Sequence, residues 1–193
     1  MFEVTDRRRR PVTLTVLLAI ALVGGAWFST CMGLKTFVYG RYLQSLSYLG
    51  IPNLPDLKHC EEGEAYRFFW WRSFHPAVLV CVFVQDDTHA TLNVKVARQT
   101  EDPLRGELVS DTTRELNAAE IRALREVVAS NRFWRKRIRD ALIQDGSGWT
   151  IEVRQSRVYH RGSRISPKTG RIRNIGEHML QLSGLELSPR EVY

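Results

Sequence analysis

Twenty-four consecutive residues without a charge, Pro11 to Leu34, follow directly on Arg7-Arg8-Arg9-Arg10. As a helix they would rise roughly 36 Å at 1.5 Å per residue, more than the ~30 Å hydrocarbon core of a bilayer. A surface helix of a soluble protein keeps a polar face, and this run has no charged residue to build one. The expectation is one transmembrane helix over 11–34. Residues 1–10 would stay cytoplasmic, because dense positive charge resists translocation and only Lys35 and Arg41 follow closely on the other side. The rest of the chain would then stand in the periplasm, tethered to the inner membrane. A cleaved signal peptide has an apolar core of only about 7–15 residues, whereas this one continues through Trp27, Phe28, Cys31 and Met32. The stretch Phe28-Ser29-Thr30-Cys31 is similar to a lipoprotein cleavage box except at Thr30, so processing at Cys31 stays open beside a retained anchor.

Residues 35–64 read as a juxtamembrane segment and linker. Phe37, Tyr39, Tyr42 and Tyr48 suit the headgroup region, Pro52 and Pro55 break any helix, and Cys60-Glu61-Glu62-Gly63-Glu64 is polar. Residues 65–193 are long enough to bury one core. Tyr66–Phe74, Ala77–Gln85 and Thr91–Arg98 are rich in aromatic and β-branched residues between turn signals and predict three strands. The second is apolar from Ala77 to Val84, the pattern of a central strand buried on both faces. A meander is the simplest way to connect them.

Helix signals follow. Asn117 can cap, Glu120 sits at the third helical position, and Leu116 can staple to Ile121 ahead of the stripe Leu124, Val127, Val128. Trp134 is expected to pack on the sheet. Trp149–Val153 and Val158–Arg164 form a hairpin around Arg154–Arg157, and Ile175–Leu185 closes the domain as an amphipathic helix. The predicted fold is α+β: a transmembrane helix, then one domain with an antiparallel sheet and two helices.

Tyr66-Arg67-Phe68, Arg72-Ser73-Phe74-His75, Phe133-Trp134, Asp145-Gly146 with Trp149 and Glu152, Tyr159-His160, Arg164, Ser166-Pro167 and Gly170 occur in this order. The arrangement resembles an uncharacterised family of bacterial envelope-associated proteins and covers roughly Tyr66 to Leu185. Ile165 departs from it, standing where that pattern carries tryptophan. The resemblance implies location and domain limits, and no chemistry.

Catalytic candidates reduce to Glu152, Tyr159 and His160. With a turn centred on Gln155-Ser156, Glu152 faces Tyr159, and His160 joins Trp149, Ile151 and Val153 on the apolar side. A three-residue loop would pair Glu152 with His160 as an acid–base couple. No G-x-S-x-G elbow, phosphate loop or H-x-x-x-H spacing accompanies them, and no cofactor or metal is implied. The bland alternative is that the Trp, Tyr and His of a short hairpin are core and hydrogen-bonding residues. Cys60 and Cys81 are the pair available for a disulfide in an oxidising compartment, although the apolar neighbours of Cys81 suit a buried free thiol equally well.

Charge is strongly uneven. Residues 132–173 hold twelve Lys or Arg against three acids. Such a field draws anionic partners. The expected binding residues are Arg154, Arg157, Arg161, Arg164, Lys168, Arg171 and Arg173. Next to a membrane, and without a nucleic-acid-binding signature, the partner class is an envelope protein or an anionic envelope component, not nucleic acid. A solvated surface is the plain alternative. The reading that results is a non-enzymatic, membrane-anchored interaction domain. An envelope hydrolase or transferase using Glu152, Tyr159 and His160 is the alternative.

Overall fold

Alternating side-chain direction lets a strand bury two different faces, and the aromatic run Tyr66-Arg67-Phe68-Phe69-Trp70 uses both. A computed structural model describes residues 57, 63–72, 75–99, 106–135 and 147–187. All lie within the unit 43–193; the other unit, 1–42, lies outside the described residues. The expected anchor 11–34, Cys31, Cys60 and most of the linker 35–64 therefore also lie outside them. Among the described residues no helix is long and apolar enough to cross a membrane.

Among the described residues six strands form one antiparallel sheet: β1 (Glu64–Arg72), β2 (Ala77–Val84), β3 (Ala90–Gln99), β4 (Gly106–Leu116), β5 (Ser147–Gln155) and β6 (Val158–Ile165). Their spatial order is β4-β3-β2-β1-β5-β6. The first three are a meander, as expected, β4 extends it by one strand, and the β5–β6 hairpin joins on the other side of β1. β2 is interior, and its residues from Ala77 to Val82 are buried. β4 was not foreseen. Its polar run Ser110-Asp111-Thr112-Thr113-Arg114-Glu115 has no apolar alternation, because an edge strand with both faces near solvent needs none.

Helix α1 (Ala118–Ser130) starts as its sequence requires. Asn117 Oδ1 accepts from the amides of Ala119 and Glu120 at 2.9 and 3.1 Å, and Glu120 Oε2 accepts from the Asn117 amide at 3.0 Å. Leu116 and Ile121 are both buried, as a hydrophobic staple demands. A 3-10 turn, Phe133–Arg135, follows. Helix α2 (Arg171–Ser183) begins four residues before the expected start and ends at Gly184, whose φ of 67° lies in the left-handed region that glycine adopts without strain.

Both helices cover one face of the sheet. That face stacks Tyr66, Phe68 and Trp70 of β1 beside Val78, Val80 and Val82 of β2, and beside Trp149, Ile151 and Val153 of β5. Each large apolar side chain so buried contributes ~1.5–3 kcal/mol relative to exposure. Gly176 is where α2 comes closest. A Cβ placed there would fall 2.5 Å from Cε3 of Trp149 and 3.0 Å from Cε2 of Phe68. Gly176→Ala is expected to lower the unfolding free energy by about 1–3 kcal/mol through overpacking. Urea unfolding of the full-length protein measures this, and unaltered stability would contradict the seating of α2 on Trp149.

A polar clamp ties α1 to the sheet. Arg125 donates to Glu64 at 2.7 to 3.1 Å and to Asp87 at 2.7 Å, while Tyr66 and Gln155 also donate to Glu64. Burial by itself would raise the Glu64 carboxyl, but the donors from Arg125, Tyr66 and Gln155 outweigh it and hold the group below its ordinary 4.5. Stability from this carboxylate is present above the unfolded value and is lost as pH falls through the lower folded one. Acid unfolding should accordingly steepen below about pH 4.5. Glu64→Gln should flatten that limb in a pH series of thermal melts, and an unchanged slope would remove Glu64 from the clamp.

Candidate functional site

The opposite face of the sheet is where the hairpin residues meet. Facing residues form a row across all six strands: Arg161, Glu152, Arg67, Cys81, Asn93 and Thr113. Flanking rows bring Tyr159 beside Arg154, and Ser163 beside Thr150. Arg67, Glu152, Arg154, Thr150 and Cys81 are buried here despite four of them being polar.

The hairpin register decides what the row can do. The turn is Ser156-Arg157, with Ser156 at φ 52°, so Glu152 faces Arg161 and His160 faces Val153. Neither sequence register occurs. The observed one differs by two residues from the pairing of Glu152 with Tyr159, and a two-residue shift preserves faces. Glu152, Tyr159 and Arg161 thus share one face as expected, while the Glu152–His160 couple is excluded because those side chains point to opposite sides.

Glu152 is fully engaged. Its Oε2 accepts from Arg67 Nη1 at 2.9 Å and its Oε1 from the Tyr159 hydroxyl at 2.5 Å. The Arg67 and Glu152 side chains are 2% and 1% exposed. Thr150 and Ser163 hydroxyls lie 2.9 Å apart, and Arg154 Nη1 donates to the Leu57 carbonyl at 3.1 Å. Cys81 is a free thiol, and burial pushes it above its ordinary value even with Arg67 nearby, so it stays protonated and a poor nucleophile. Its expected disulfide partner, Cys60, lies outside the described residues.

His160 belongs to the core side. Its ring meets Phe133 edge-on at 4.9 Å and Trp134 at 6.2 Å, which also places Trp134 against the sheet as its sequence position suggested. The other histidine of the helical layer, His178, lines a shallow groove with Arg114, Asn117 and Glu120, and burial pushes it below its ordinary value. Among the described residues no group of three His, Cys, Asp or Glu is arranged to hold a metal.

The basic stretch does not form one patch. Arg154 is buried, and Arg161 is half-buried across from Glu152. Arg171 reaches the Arg132 carbonyl at 3.4 Å. Arg173 lies over the Trp149 ring at 4.8 Å and pairs with Glu177 at 2.6 Å. Arg157, Arg164 and Lys168 are exposed, Arg164 on the helix side of β6 and the other two beyond its ends. Arg67 escaped notice in the sequence. The signal was there, since one arginine inside a run of five aromatics in a strand demands a buried partner.

Taken as chemistry, the row is a desolvated ion-pair anchor with a tyrosine on it. It offers neither an open carboxylate nor a base beside a nucleophile. No known protein-family model matches the chain, and no curated protein matches it. Glu152→Ala, which strands the Arg67 guanidinium in a dry site, should cost ~3–5 kcal/mol in chemical denaturation. A loss below 1 kcal/mol would mean that water reaches the pair.

Proposed function

We propose that this chain is a membrane-anchored, extracytoplasmic interaction domain of the bacterial cell envelope, held in the inner membrane by residues 11–34. It engages an envelope protein or an anionic envelope component and does not catalyse. The uncharged run behind four arginines supports the anchor and its orientation. One observation carries the binding reading. Among the described strands β6 lies at one end of the sheet, and from Ser156 to Arg173 the chain holds six basic residues and no acidic one. Arg164 on this strand and Arg157 and Lys168 beyond its two ends are exposed. An excess of positive charge around this strand attracts an anionic partner.

The enzymatic alternative needs Glu152 and His160 on one side of the sheet. They lie on opposite sides, and both carboxylate oxygens of Glu152 are already engaged. That supports a structural role for the hairpin residues.

Photo-crosslinking of the full-length protein in its native membrane, from a reactive residue placed at Val158, tests the proposal. Arg157→Glu with Arg164→Glu and Lys168→Glu is expected to reduce recovery of the captured component at least tenfold. Raised salt should do likewise, since exposed charges are screened beyond a Debye length. Undiminished recovery from a folded triple variant would defeat the basic-edge reading.

A further inference from the structure

The helical layer holds a buried ring nitrogen without a partner: His178 Nε2 is shielded from solvent and makes no hydrogen bond. Such an atom is tolerated while it carries a lone pair. Once protonated it becomes costly, because a buried N–H without an acceptor forfeits its hydration. His178 stands four residues before Leu182 on α2, so the two share one face of that helix. That face borders the groove that Arg114 of β4 and Asn117 and Glu120 at the start of α1 also line.

Arg114 ties the three elements together. Its Nη2 donates to Glu120 Oε1 on α1 and to the Leu182 carbonyl on α2, each at 2.8 Å, and its Nη1 donates to the Glu115 carbonyl at 3.1 Å. The last carbonyls of a helix have no partner within it. Here Ser183 Oγ serves the Leu180 carbonyl at 2.6 Å and the Gly184 amide serves that of Gln181 at 3.2 Å, so Arg114 completes the set at Leu182. Among the described residues the charged groups lining the groove, besides His178 itself, are Arg114 and Glu120. Both Glu120 oxygens are committed, Oε1 to Arg114 and Oε2 to the Asn117 amide at 3.0 Å. An imidazolium at position 178 would therefore meet a guanidinium in its groove and no open carboxylate.

We propose that His178 is an acid-sensitive latch: a proton taken up from solvent at Nε2 releases the last turn of α2 from Arg114 and uncovers Leu182, which is buried in the closed form. Lifting the turn gives the new cation the hydration that the closed form denies it. Burial already holds His178 below its ordinary 6.5, and this fixes the sign. The lifted form, with the ring in water, takes up its proton near 6.5, and the closed form only at lower pH. Closure is at full strength above pH 6.5, weakens as pH falls below it, and weakens no further once the closed form is itself protonated. The latch belongs to the helical layer and stands whether or not the basic stretch engages a partner.

Hydrogen exchange of the full-length protein in phosphatidylcholine vesicles tests this, read as protection relative to the intrinsic rate at each pH. Between about pH 7.5 and about pH 5, the amides of Leu180 to Gly184 are expected to lose at least about threefold in protection, and those of β2 less than about twofold. His178→Gln keeps a neutral side chain at every pH and should cut the loss at Leu180 to Gly184 to below about 1.5-fold. An equal loss in His178→Gln overturns the proposal. So does undiminished protection in the native protein, or a loss shared by β2, which means global unfolding. Should the variant fail to fold, the native profile decides. A loss that sets in near pH 6.5 and levels off at lower pH supports the latch. One that begins only below about pH 5 belongs to carboxylates and overturns it.

Discussion

The buried pair between Arg67 and Glu152 constrains the rest of the domain. It links β1 to β5, the two strands that join the meander to the C-terminal hairpin, at 2.9 Å and almost without solvent. A guanidinium and a carboxylate taken from water cost several kcal/mol each unless they meet with good geometry and with further hydrogen bonds. Only the observed register supplies both, because it sets Arg67 across from Glu152 and leaves Tyr159 in reach of the second oxygen. A slip by one residue would send Glu152 into the aromatic layer under α2 and bring His160 out. The pair thus favours one strand alignment over its neighbours, a role in specificity more than in net stability.

The two faces divide the labour. The helix face is a continuous apolar layer in which Trp149, Phe68 and Gly176 set how close α2 can come. The second face is a polar row within a buried surface, where each charged group needs a named counterpart. With the interior committed in this way, the exposed large apolar residues among those described, Val109, Val158 and Ile165, lie on the outer strands β4 and β6.

Much of this was legible from residues alone. Aromatic and β-branched enrichment between turn signals located β1, β2 and β3 within two residues, and the unbroken apolar run of β2 announced an interior strand. Asn117 and Glu120 marked the start of α1, because capping is a contact between residues three apart. β4 escaped, since a solvated edge strand carries no hydrophobic alternation. The start of α2 was placed late, because Arg171 to Asn174 are polar and the apolar stripe was read from Ile175.

What the sequence determined by itself is local: which segments form strands and helices, where α1 begins, and that twenty-four uncharged residues follow four arginines. What only the tertiary structure decided is which residues meet. The partner of Arg67 stands 85 positions away, and whether Glu152 met His160 turned on a single residue of register in one hairpin. Spacing along the chain carries no information about contacts between distant strands. These are settled by the joint demand that every buried charge find its counterion and every apolar row face the core.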